Sequence, residues 1–234
     1  MSFWKGKKSE ALIDKGDFEL INSSREFQKE MNALWSNIRK NVSDEELPSS
    51  FVMCSASEGE GCTTIALGLG IFVSKHSNRR VVVVDTQNES LYLSDFLSEY
   101  YPELSNEEEV TSTNIGFREF SLTKRNLSFL QIINPENLNF SPESESSFDT
   151  FLMFLRNSYD YIFFDCAPIL TSSISNFLAN KLDYVIFVVS VTRSSQRKLI
   201  AAINEVSCDK ERLLGVVMNK RRNILPDFIN KLIG

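Results

Sequence analysis

Apolar residues between positions 22 and 41 recur every three or four places. Phe27, Met31, Leu34, Trp35 and Ile38 fall on one side, which predicts an amphipathic helix over 22–41. The run Asn-Val-Ser-Asp-Glu-Glu-Leu-Pro at 41–48 breaks that period. From Phe51 the pattern changes to short, unbroken runs rich in Val, Ile and Phe, at 51–55, 80–85, 127–133, 160–165, 183–190 and 213–219. Runs without polar alternation mark strands covered on both faces, the habit of parallel sheets. Helical stretches are predicted between them at about 62–76, 146–158, 172–181 and 193–206. Strand and helix in turn imply an α/β fold: a doubly wound, mostly parallel sheet of about six to eight strands with helices on both faces. The interval 98–126, acidic at Glu107–Glu109, shows no clear period and reads as an insertion or lid-like surface segment. Pro-rich 135–142 reads as a loop, and no solenoid repeat is present. Residues 1–20 read as a flexible polar arm, and 21–234 as a single domain.

Composition narrows the function. Apolar residues make up 42% of the 234, with 18 Phe, ample for a buried core. A net charge of −6 works against nucleic acid as a partner, because phosphate contacts need clustered Lys and Arg. No apolar run approaches the roughly 18–20 residues that span a bilayer, and the opening MSFWKGKKSE lacks a signal peptide's apolar stretch. Cys54, Cys62, Cys166 and Cys208 follow neither metal-ligand spacing nor a secreted disulfide pattern, so a reducing cytoplasmic location is expected. His76, the only histidine, ends a helical stretch and suits a C-terminal cap rather than catalysis.

Candidate chemistry gathers where strands end, since open α/β sheets bind ligands at their carboxyl edge. The first strand runs into Ala56-Ser-Glu-Gly-Glu-Gly-Cys-Thr63, which keeps the frame of a phosphate-binding loop, [AG]xxxxGK[ST]. Ala56, Gly61 and Thr63 hold their places, but Cys62 stands where the lysine belongs. Glu58 and Glu60 add negative charge where a polyphosphate would sit. The second strand ends at Asp85 and the fourth at Asp165. A threonine hydroxyl with two strand-end carboxylates is the usual set for fixing magnesium beside a triphosphate, here Thr63, Asp85 and Asp165. Either aspartate alone could equally cap a turn.

These residues resemble a known family. Ser55-Ala-Ser-Glu-Gly-Glu-Gly-Cys-Thr-Thr64 is similar to the first motif of the bacterial tyrosine kinases of capsule and exopolysaccharide assembly. Those kinases belong to the Min/Par group of deviant-Walker ATPases, of the P-loop NTPase type. Val81-Val-Val-Val-Asp85-Thr-Gln87 resembles their second motif, and Tyr159-Asp-Tyr-Ile-Phe-Phe-Asp165-Cys-Ala-Pro168 their third. The runs from Leu182 to Ser195 and from Leu214 to Lys220 resemble their closing strands, so the likeness covers roughly 22–221. It implies a nucleotide loop of Gly59, Glu60, Gly61, Cys62, Thr63 and Thr64, with Asn219 at the adenine, and Asp85 and Asp165 as the catalytic carboxylates. It also implies a ring-forming face on the N-terminal helix, whose key places hold Lys29, Asn32 and Trp35 here. Several positions depart from the family. Besides Cys62, Glu58 replaces a proline or second lysine, Gln87 replaces a second aspartate, and residues 221–234 hold none of the tyrosines of the family's tail.

Losing a charge-assisted contact to the phosphates costs a few kcal/mol of transition-state stabilisation, 10²–10³-fold or more in rate. The chain is therefore expected to be a degenerate member in which these sites are vestigial, needing no cofactor. ATP and Mg remain open if the pocket still works. The expected role is a cytoplasmic binding or scaffolding component of polysaccharide synthesis or export. It would sit peripherally at the inner membrane through a polysaccharide co-polymerase or an active kinase relative, with self-association open. Two alternatives stand: an active kinase or ATPase with charge supplied by Lys220, Arg221, Arg222 or a partner, or a Min/Par-like positioning protein for a pilus or secretion system. Cys54, Cys62 and Cys166 should lie near the phosphate loop, either as small residues filling a collapsed pocket or as a redox or metal sensor. Phe3–Lys8 could touch a membrane surface or be a loose terminus; Phe228–Ile233 suits docking on the domain.

Overall fold

The computed structural model describes residues 24–42, 47–87, 108–110, 115–122, 126–133, 135, 142–192, 194–206 and 211–219. The first helix, α1 (Arg25–Ile38), is shorter than its apolar period. Ser24 starts it, its hydroxyl accepting the Phe27 N–H at 3.2 Å and satisfying one otherwise orphaned donor. Phe27, Met31, Trp35 and Ile38 are buried and Leu34 packs beside them, as the spacing requires. Trp35 meets Tyr161 and Phe163 edge-on, with ring centroids 4.9 and 6.5 Å away. Of the three places on the implied ring-forming face, Lys29 and Asn32 are exposed while Trp35 belongs to the core.

The remaining elements alternate. The strands are β1 (Ser49–Ser55), β2 (Val81–Asp85), β3 (Glu108–Val110), β4 (Phe117–Leu122), β5 (Leu127–Ile132), β6 (Tyr161–Asp165), β7 (Tyr184–Ser190) and β8 (Leu213–Asn219). The helices are α2 (Cys62–His76), α3 (Pro142–Ser158), α4 (Ser173–Lys181) and α5 (Gln196–Glu205). They form one eight-stranded sheet in the order β3-β4-β5-β2-β6-β1-β7-β8. From β5 to β8 every pairing is parallel. Side chains alternate through it, sending Phe51 and Met53 of β1 to the α1/α2 face and Val52 and Cys54 to the α3/α4/α5 face. His76 closes α2 as expected, its Nδ1 2.8 Å from the Phe72 carbonyl and its ring stacked on Phe72.

Two sequence expectations need correction. The interval 98–126 is not wholly a surface insertion: it contains β3 and β4, and β4 pairs antiparallel with β5. Phe117 and Phe120 of β4 are buried in the cores on opposite faces, so the run shows no one-sided alternation. Glu119, between them, accepts a hydrogen bond from the Tyr159 hydroxyl at 2.6 Å. The Pro-rich stretch also ends earlier than expected, because Pro142 opens α3. Proline suits a first helical position, where its missing N–H would have no partner. The arm 1–20, Cys208, the Lys220–Arg222 cluster and the tail lie outside the described residues.

Glycine lets α1 approach α2. A Cβ built on Gly68 would sit 2.6 Å from the Phe27 ring, and one on Gly70 would sit 2.4 Å from Val83. Gly68→Ala is therefore expected to destabilise the fold by about 1–3 kcal/mol through overpacking. Trp35→Ala should cost about 3–5 kcal/mol by leaving a cavity. Equilibrium urea unfolding checks both; a Gly68→Ala protein as stable as the wild type would contradict this packing.

Candidate functional site

The loop 56–61 leaves the carboxyl end of β1 and turns into α2. Gly59 and Gly61 take φ of 71° and 91°, left-handed values that cost other residues about 1–2 kcal/mol each. Gly61 is the cap of α2, so the first N–H groups of that helix face the loop. Glu58 is exposed, as expected of a loop charge. Glu60 is not: its side chain is buried, so the expected second negative charge facing a ligand must be corrected. Oε2 of Glu60 accepts the N–H of Ala56 at 3.1 Å and of Ser57 at 3.4 Å, and Oε1 accepts the Ser194 hydroxyl at 2.5 Å. Asn219, at the end of β8, donates its amide to the Glu60 carbonyl at 2.9 Å. That contact closes the loop against the last strand.

Beneath the loop the two strand-end aspartates meet. β6 lies between β2 and β1, and its register sets Asp165 directly opposite Asp85. Both are buried. Burial pushes the Asp165 carboxyl up to about 6, against the stabilising pull of the Thr63 hydroxyl, the Cys62 thiol and the Gln87 amide. Asp85 is also pushed well above the usual carboxylate range, by burial and then by the charge of Asp165. No described lysine or arginine forms an ion pair with Asp165. Gln87 bridges the two: its side-chain amide donates to Asp165 at 3.3 Å and its backbone N–H to Asp85 at 2.8 Å. The Thr86 hydroxyl donates to the Asp165 carbonyl at 2.8 Å.

The cysteines gather as expected. Cys62, the first residue of α2, is buried, and burial and then the Asp165 charge push its thiol well up. Burial does the same to Cys166. Both are therefore neutral, weakly reactive thiols at ordinary pH. Cys54, Cys62 and Cys166 are close enough to influence one another's titration, yet no disulfide joins them. Among the described residues no group of three His, Cys, Asp or Glu side chains is arranged to hold a metal.

Oδ1 of Asp165 is buried without a hydrogen bond of ordinary geometry, beside Thr63 and opposite Asp85. Such oxygens suit magnesium, but only if phosphate and water complete its shell of six. The structure thus brings together Gly59, Glu60, Gly61, Cys62, Thr63, Asp85, Asp165 and Asn219, with Thr64 buried in the first turn of α2. Ser194 was not singled out from sequence. Its only signal there was membership of the motif-like Thr192–Ser195 run.

Residues 52–215 match a protein-family model described as AAA domain. No curated protein matches the chain. Among solved structures the VpsO kinase domain superposes with a TM-score of 0.65 at 20% identity, over 89% of this chain and 100% of that one. The kinase domain of the Escherichia coli tyrosine kinase ETK gives 0.65 at 13% identity, over 97% and 89%. A plasmid partition protein from Borrelia burgdorferi gives 0.55 at 20%, over 80% and 86%. At these identities the likeness establishes the fold. Among the described residues no helix is long and apolar enough to cross a membrane.

The raised Asp165 carboxyl makes stability depend on pH with a definite sign. Between the ordinary 3.8 and about 6 the folded chain holds this proton and the unfolded chain has released it. Stability therefore falls as pH rises through that window, and above it the buried charge costs on the order of 1–3 kcal/mol. Asp165→Asn should raise the urea midpoint at pH 7.5 and lose that advantage by pH 4. Parallel pH profiles for the two proteins would contradict the assignment.

Proposed function

The chain belongs to the AAA domain family, and from that premise we propose that it is a catalytically degenerate relative of the bacterial exopolysaccharide tyrosine kinases. It acts as a cytoplasmic binding or scaffolding component of polysaccharide synthesis or export. The observation that carries this reading is Cys62: a neutral, buried thiol stands over Asp165 where a phosphate-binding lysine is required. Two buried carboxylates with raised pKa values then face any incoming phosphate. Above its pKa of about 6 the Asp165 carboxylate repels an anionic substrate, and no described cation offsets this charge.

On this reading Asp85, Asp165 and Thr63 are vestigial magnesium and catalytic positions, and Gly59–Thr64 with Asn219 a vestigial nucleotide loop kept for its shape. Residues 21–234 act as one domain behind a basic and polar arm. The superposition on the VpsO and ETK kinase domains supports this choice of family branch. The partner is an inner-membrane polysaccharide co-polymerase or an active relative, which holds the chain peripherally at the membrane. A second reading, residual nucleotide binding with charge supplied by a partner, draws on the Thr63 hydroxyl and the free Oδ1 of Asp165, which remain where a metal would use them.

Purified protein with ATP and magnesium should release phosphate no faster than buffer and label no tyrosine. Turnover that disappears in Asp85→Ala and Asp165→Ala would overturn the proposal. In the source bacterium, deletion should lower surface polysaccharide, and an Asp165→Asn allele should restore it as fully as the wild-type gene. Failure of that allele, with normal protein levels, would return catalysis to the site.

A further inference from the structure

Glu60 is 2% exposed in a loop whose neighbours Ser57, Glu58 and Gly59 all reach solvent. It satisfies groups from three separate parts of the chain. One carboxyl oxygen takes the Ala56 and Ser57 N–H groups at the loop's start, and the other takes the Ser194 hydroxyl from the β7–α5 connection. Its backbone carbonyl takes the Asn219 amide from the end of β8. The last two partners are themselves tied together. Ser194 N–H donates to the Ser190 carbonyl at 2.9 Å, and Val191 N–H to the Asn219 carbonyl at 3.0 Å.

Buried backbone N–H groups require partners, and a loop with glycines at 59 and 61 has much conformational freedom to lose. In an active phosphate loop the ligand supplies much of that ordering. We propose that Glu60 is a positioning residue that holds the loop in one shape without any ligand and couples it to the β7–α5 connection and the end of β8. The coupling is reciprocal: loosening the Ser194 end loosens the loop, and loosening Glu60 loosens the distant segments. It stands whether or not a nucleotide binds.

Hydrogen exchange of the ligand-free full chain, read by mass spectrometry, tests this with two variants. Ser194→Ala removes one hydroxyl outside the loop and should raise amide exchange over 56–61 by about tenfold or more, as local opening does. Exchange in β4 and β5 should not change. Glu60→Gln keeps the side chain's size but removes an acceptor, and should raise exchange over 190–195 and 216–219. The double variant should add little to either single one. Unchanged loop exchange in Ser194→Ala, or a rise spread evenly across the whole sheet, would overturn the proposal. Should Glu60→Gln not fold, Ser194→Ala alone decides between these outcomes.

Discussion

The position of β6 between β1 and β2 determines the rest of the site. Parallel pairing on both sides places Asp165 level with Asp85 on one flank and Met53 on the other. Backbone bonds continue the arrangement beyond the strand: Cys166 N–H reaches the Met53 carbonyl, Ile169 N–H the Ser55 carbonyl, and Thr86 N–H the Asp165 carbonyl. The start of the loop, the first turn of α2 and both carboxylates are thereby fixed by the ladder of the sheet. This is the topological crevice of a doubly wound fold, where ligands are expected. Here the buried Asp85, Asp165 and Cys62 gather at that crevice.

The central physical question is how a fold tolerates two buried carboxylates side by side. An ionised pair in this setting is strongly disfavoured, and proteins respond by raising pKa values until a proton stays. Here the Gln87 side-chain amide, the Cys62 thiol and the Thr63 hydroxyl all stabilise the ionised form of Asp165. Glu60 likewise turns its own acidic group inward onto loop N–H groups and Ser194.

Much of this was legible in the sequence. The unbroken runs of β1, β2, β6 and β7 announced strands covered on both faces, and α1 was visible in the spacing of Phe27, Met31, Trp35 and Ile38. The same run in β8 misled, because this strand lies at the sheet's edge and leaves Val216 and Met218 exposed. Cys62, Asp85 and Asp165 could be placed together because each sits at a strand end or the loop that follows one. β4 escaped because Phe117 and Phe120 point into different cores, which erases the one-sided pattern that reveals a half-buried strand. The inward turn of Glu60 escaped for another reason. Its partner Ser194 is 134 positions away, and local pattern carries no information about a contact made only after β7 has joined the sheet.

On the proposed function the pocket retains its shape but lacks the charge to hold a nucleotide. Isothermal titration calorimetry with ATP and magnesium addresses it directly, using wild-type protein beside Cys62→Lys. No binding heat is expected from the wild type and measurable binding from the variant, as for an intact cradle lacking only its cation. Clear magnesium-dependent binding by the wild-type chain would contradict it.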